Sequence, residues 1–184
     1  MTDTLAARYD PRTVRLHWIT AVLVVLLWGS AQIIDWFPKG APRINAQGVH
    51  MTLGVTLAIV LAMRITWRLT QGTRLPQVGS PAMAMAATFA HRLLYVLLVV
   101  EILLGLTNAW VRGQSVFNLF AIPAFSPGDR ALVKQVNGYH DWVANTILVV
   151  AGLHALAGLA HHYWMKDDVL RRMAWRRQRQ GKSS

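Results

Sequence analysis

The chain contains no cysteine, and only 8 of its 184 residues are acidic against 19 that are Lys or Arg. The first absence excludes a disulfide framework, a thiolate zinc site, an iron–sulfur cluster and a covalently attached c-type haem. Any redox metal centre in this chain must then be held by histidine, of which there are 7. The shortage of acid leaves a formal charge of +11 on a chain that is 54% hydrophobic, with a mean hydropathy of +0.32. Charge and apolar surface on that scale coexist only if they are segregated along the chain.

Charge is missing from long stretches. No Asp, Glu, Lys or Arg occurs for 19 residues between Arg15 and Asp35, for 20 between Arg43 and Arg64, or for 24 between Asp141 and Lys166. From Arg92 to Arg112 only Glu101 interrupts. About 20 residues of helix, rising ~1.5 Å each, cross the ~30 Å hydrocarbon core of a bilayer. The runs therefore predict four transmembrane helices at about 16–34, 48–69, 89–111 and 139–164. The expected fold class is all-α: one membrane domain over 1–184, an integral four-helix bundle, with 165–184 as a basic tail. No small-residue cleavage motif follows the first run, so a removable secretory signal is not expected. The basic residues sit at span ends and not on a folded soluble face, so the expected partner is the lipid bilayer and not nucleic acid.

Pro38, Gly40 and Pro42 punctuate the first loop, and Gly72, Pro76, Gly79 and Pro81 the second. The third connection, 112–138, is the longest; its Phe117, Phe120 and Phe125 predict that it folds back on the bundle surface. Four spans put both termini and the second loop on one side. That side carries 14 Lys and Arg, and the other carries five, Lys39, Arg43, Arg112, Arg130 and Lys134. By the positive-inside rule the termini are cytoplasmic. Trp18, Trp36, Trp67, Trp110, Trp142 and Trp164 fall near span ends, where an anchoring role is expected.

Ionisable groups at membrane depth are costly and usually functional, so the histidines are the strongest chemical signal. His17, His50 and His91 lie near the starts of the first three spans, and the fourth carries His140, His154, His161 and His162. His140 and His154 are 14 residues apart. That interval is close to four turns, so the two rings share one helix face ~21 Å apart. A haem iron clamped by two imidazoles needs one histidine from each of two helices at matching depth. His50 and His140 match at the outer ends of their spans. For His154, 13 residues from Asp141, the partners are His17, 18 from Asp35, or His91, 21 from Arg112. His17 lies nearer in depth. Gly54 and Gly158 follow two of these histidines by one turn and leave room beside them, although helix packing explains such glycines as well.

The segments RLHW at 15–18, FPKGAPRINAQGVHMTLG at 37–54, AHRLLY at 90–95 and YHDWVANTILVVAGLHALAGLAHHYWMKDDVLRRM at 139–173 resemble the bacterial dihaem cytochrome b561 family, and most closely its superoxide oxidase members. The resemblance covers nearly the whole chain. It implies two haem b groups stacked across a bacterial inner membrane, an inner one between His17 and His154 and an outer one between His50 and His140. It further implies ubiquinone at the cytoplasmic end near His161.

Irons with two imidazoles each have no open position, so electron transfer is the chemistry expected of such a protein. In similar superoxide oxidases superoxide is oxidised to dioxygen outside and quinone is reduced inside. The five outer cations, against Asp35, Asp129 and Asp141, are expected to steer that small anion. His161, seven residues beyond His154 on the same face, is placed to hydrogen-bond a quinone carbonyl and pass it a proton, with His91 and Lys166 as secondary candidates. Glu101, alone at mid-membrane, is open between an interhelical hydrogen bond and a proton relay. The alternative function is that of a cytochrome b subunit passing electrons between quinone and a separate dehydrogenase or soluble redox protein. A haem-free small-solute transporter is a third class, against which the paired histidines argue.

Overall fold

A computed structural model describes residues 8–73, 75–76 and 79–174. Four helices dominate it: α1 Pro11–Ile33, α2 Ala41–Thr70, α3 Pro81–Arg112 and α4 Arg130–Tyr163. All four are long and apolar enough to cross a membrane, and the protein is a multi-pass membrane protein. Its fold is an all-α four-helix bundle. The part of the basic tail from residue 175 onward lies outside the described residues.

The helices begin earlier than the charge-free runs predict, by five to nine residues, because polar side-chain caps extend α1, α3 and α4 past the apolar stretch and Pro42 sits in the first turn of α2. Asp10 accepts a hydrogen bond from the Thr13 N–H at 2.8 Å, with Pro11 in the first turn. Ser80 and Asp129 do the same for α3 and α4, accepting from Met83 N and Leu132 N. Gly113, at φ 63°, ends α3 in the left-handed conformation that glycine adopts without strain. Asp10 also accepts from Trp67 Nε1 at 3.0 Å and Thr73 N at 3.3 Å, which ties the start of α1 to the end of α2.

The connection after α3 does fold back on the bundle. It forms a small antiparallel hairpin, β1 Ser115–Val116 with β2 Phe120–Ala121. The Phe117 ring lies 3.0 Å from where a Cβ of Gly48 would stand, a close approach that favours glycine there. Phe125 packs on Trp110 with ring centroids 4.7 Å apart.

The bundle consists of two hairpins, α1 packed mainly on α2 and α3 mainly on α4, with looser packing between them. Its central core is an apolar layer to which every helix contributes: Leu23 from α1, Leu57 and Leu61 from α2, Leu98 from α3, and Val143 and Ile147 from α4. Val143 and Ile147 lie between His140 and His154 in the chain, so this layer separates two levels of histidine.

Candidate functional site

The seam between the hairpins brings histidines together at two levels. On one side of the apolar layer the rings of His50 and His140 have centroids 6.3 Å apart and cross at 88°. On the other, nearer the chain termini, His17 and His154 have centroids 6.4 Å apart and cross at 74°. His91, exposed on the flank of α3, stands closer to His154, at 5.0 Å.

His50, His140 and His17 each have a polar group at the ring edge. The Ser30 hydroxyl donates to the Leu27 carbonyl at 2.8 Å, which uses its one hydrogen. Its contact with His50 Nδ1 at 2.9 Å is therefore one in which the ring donates, and Nε2 keeps a free lone pair. His140 Nδ1 lies 3.1 Å from Glu101 Oε1, with side-chain exposures of 18% and 14%. That approach is off-line: Nδ1 and Glu101 Oε2 are both buried without a well-aligned hydrogen bond. One turn along α3, a Cβ on Gly105 would meet His140 Cε1 at 3.3 Å, so α3 shapes this edge of the ring with a carboxyl and a clearance. At the other level Arg64 Nη2 is 3.1 Å from His17 Nδ1, and its guanidinium stands over the Tyr95 ring at 5.1 Å.

These residues fit a bis-imidazole iron centre. A first-row metal stands about 2 Å from an imidazole nitrogen, and the nitrogen roughly 1 Å from the ring centre, so a clamped ion sets centroids about 6 Å apart. Both pairs match that span, and the 5.0 Å between His91 and His154 is too short for it. A Cβ at Gly54 or Gly158 would meet no atom within 4 Å, which leaves room beside His50 and His154 for a flat group. The donor set, imidazole without thiolate, is that of b-type haem.

The family model for prokaryotic cytochrome b561 matches residues 8–176. The chain belongs to the prokaryotic cytochrome b561 family. It is similar to the probable superoxide oxidase CybB of Yersinia pestis, 29% identical over 90% of this chain and 95% of that one. It is also similar to cytochrome b561 homolog 2 of Escherichia coli, 30% identical over 90% of both chains, and to cytochrome b562 of Cereibacter sphaeroides, 27% identical over 90% and 94%. Membership of the cytochrome b561 family makes this a membrane electron-transfer protein and implies haem b.

Of the remaining sequence candidates, His161 lies at the end of α4 with Nδ1 2.5 Å from Asp167 Oδ2. Lys166, between them in sequence, is exposed and has a positive φ of 53°. At the opposite end of the bundle, Arg112, Arg130 and Lys134 line one open cavity of about 460 Å³ together with Gln47 and Asp129. Gln47 is one helical turn from His50, so this cavity adjoins the His50–His140 level. Arg112 also donates to Asn108 and Asn137 at 2.9 and 2.6 Å. Arg43 is held elsewhere, paired with Asp35 at 3.3 Å and donating to the Phe37 carbonyl, and Lys39 is exposed in the first loop.

Asp167, Ser30 and Arg64 were not read as site residues from sequence. Their only signal is spatial: each reaches a histidine six to 47 positions away in the chain.

Proposed function

We propose that this cytochrome b561 is a superoxide:ubiquinone oxidoreductase, with residues 1–184 forming one membrane domain whose termini and basic 165–184 tail face the cytoplasm. In this reading His50 and His140 hold an outer haem b, and His17 and His154 an inner one. Bound there, haem b supplies one-electron redox chemistry. Two superoxide anions each give up one electron and leave as dioxygen, and one ubiquinone takes both electrons and two protons to become quinol.

The observation that carries this reading is the basic cavity beside the His50–His140 level. Arg112, Arg130 and Lys134 place three cations around it against one carboxylate, Asp129. Such a focused positive field raises the encounter rate of a small anion and does nothing for a neutral donor. The name of the Yersinia relative points to the same substrate. Arg43, tied to Asp35, and Lys39 add only to the wider field of that face. At the inner end, His161 is oriented by Asp167, an arrangement suited to holding a quinone carbonyl and relaying a proton. His91 and Lys166 remain candidates for the rim of that site.

The test is a reduced-minus-oxidised spectrum with a haem count, followed by assay with a superoxide generator and ubiquinone. Two haem b per chain and quinol formation that depends on superoxide are expected. Absence of haem b would overturn the ligand assignment, and superoxide loss no faster than in buffer would overturn the substrate.

A second reading, an electron-transfer subunit serving a protein partner, is favoured by the hairpin at the same face. Leu119 and Phe120 at its tip are 82% and 61% exposed, an apolar edge suited to docking. Superoxide-independent quinol formation with a soluble redox protein would select it.

A further inference from the structure

Two side chains of opposite sign stand at the two histidine levels. Glu101 puts a carboxyl oxygen 3.1 Å from Nδ1 of His140, and Arg64 puts a guanidinium nitrogen 3.1 Å from Nδ1 of His17. Both project from helices that cross the bundle within predominantly apolar sequence, where a charged or polar group is expensive unless it has a task. Among the described residues Arg64 forms no ion pair, so its charge is left uncompensated by any carboxylate. Glu101 meets no Lys or Arg in an ion pair there either; its pairing is with His140.

We propose that Glu101 and Arg64 are positioning residues that make the two redox centres unequal, so that electrons run downhill from the outer histidine pair to the inner one. This rests on the haem-ligand assignment proposed above. It adds a physical cause for the outer-to-inner flow of that reading, which histidine placement alone does not supply.

The physics is that of the group behind a metal-bound imidazole. The carboxyl of Glu101 stands beside Nδ1 of His140 without an aligned hydrogen bond, so it acts through space: negative charge next to a metal-bound ring favours the oxidised, more positive metal. Glu101 therefore lowers the potential at the outer pair. Gly105, one turn away, leaves clearance at Cε1 and lets this edge of the ring lie close to α3. His50 has the Ser30 hydroxyl at Nδ1 and the Leu27 carbonyl beside it, both uncharged groups, so the carboxyl of Glu101 sets the balance at this level.

Arg64 acts in the opposite sense. A guanidinium keeps its charge, and in the poorly polarisable interior that charge stabilises an added electron nearby. Whichever tautomer His17 adopts, a fixed positive charge stands at the edge of the inner pair and raises its potential. Moving one electron from the outer to the inner centre oxidises the first and reduces the second, with no bond or proton transferred.

The experiment is a redox titration of the full-length haem-loaded protein, followed by visible absorption without superoxide or quinone. Two couples are expected. Glu101→Gln should raise the lower couple about tenfold in its reduction equilibrium, about 59 mV for one electron, and leave the higher couple in place. Arg64→Gln should lower the higher couple by a similar amount. If both haems are bound and Glu101→Gln moves neither couple, or moves the higher one, the proposal is overturned. If Glu101→Gln loses a haem, Glu101→Asp decides. Retention of both haems with a potential near the wild type supports the carboxyl charge beside His140, and loss in this variant too would mean that Glu101 only fills space. Arg64→Lys plays the same part for Arg64: retention of the higher potential supports the charge, and its loss with both haems bound overturns it. A wild-type spectrum without haem b would sink the ligand assignment itself, and failure to consume superoxide would leave these potentials unaffected.

Discussion

His161 Nδ1 and Asp167 Oδ2 stand 2.5 Å apart, so the ring at the end of α4 is held by a carboxylate from the segment that follows the helix. Burial works against ionisation of Asp167, but hydrogen bonds from His161 and the Val169 N–H, with the nearby His161 and Arg172 charges, hold its carboxyl below the usual 3.8. The pairing is therefore intact above that ordinary value and is lost as pH falls through the lowered one. Asp167→Asn should slow quinone reduction roughly tenfold or more while both haems stay bound. Stopped-flow reduction with ubiquinone, alongside a haem count, checks this, and an unchanged rate would remove Asp167 from the relay.

The two candidates for partnering His154 differ in reach. With ring centroids at 6.4 Å for His17 and 5.0 Å for His91, only His17 spans a metal ion shared with His154. His17→Ala should lose one haem, and His91→Ala should keep two. A pyridine haemochrome count on each variant decides; the reverse pattern would exchange the two residues.

Charge reversal should expose the steering role of the cavity beside His50. Arg130→Glu combined with Lys134→Glu should slow superoxide consumption at low salt by about tenfold, with the gap to the wild type closing as salt rises. Rates measured across ionic strength provide the readout. Equal rates at low salt would mean that the cavity takes a different substrate.

The close approach of Phe117 to Gly48 couples the outer connection to α2. Gly48→Ala would push a Cβ into the ring at 3.0 Å and should destabilise the protein by about 1–3 kcal/mol. Adding Phe117→Ala should return part of that loss, since the clash is then gone. Thermal unfolding in detergent of the two single variants and the double measures the coupling.

Asp10 gives the terminal end an acid sensitivity. Burial raises its pKa, but hydrogen bonds from Thr13, Thr73 and Trp67 outweigh this and lower it from 3.8 to about 2. Its contribution is complete above the ordinary value of 3.8, declines as pH falls from there through about 2, and is absent below. Asp10→Asn should flatten the pH dependence of unfolding between these limits, and Asp10→Ala should remove about 1 kcal/mol of cap stability. Circular dichroism melts from pH 5 downward follow both.

The four helices were legible because a bilayer demands long charge-free runs, and Arg15–Asp35 or Asp141–Lys166 can be counted directly. Helix starts were less so, because Asp10, Ser80 and Asp129 cap from outside the apolar stretch. The meeting of His50 with His140 followed from matched depth along each span; for His154, depth put His17 ahead of His91 by a small margin, and the structure brings both rings near it, His91 at 5.0 Å and His17 at 6.4 Å. What touches the far side of each ring did not. Glu101 and Arg64 act across helices, and their partners depend on how α3 and α2 are rotated about their own axes, which spacing within one helix does not encode.

The layer of Leu23, Leu57, Leu61, Leu98, Val143 and Ile147 contains no titratable side chain and stands between the two histidine levels. A barrier of this kind resists protons, which need polar stepping stones, far more than it resists electrons. In the proposed cycle the negative charge thus crosses ~21 of ~30 Å with no proton alongside it, and does so against an inside-negative voltage. Each electron then meets about 1.6 kcal/mol of opposition per 100 mV. Energised vesicles should turn over more slowly than uncoupled ones, so the respiratory state of the membrane becomes a brake on this cytochrome.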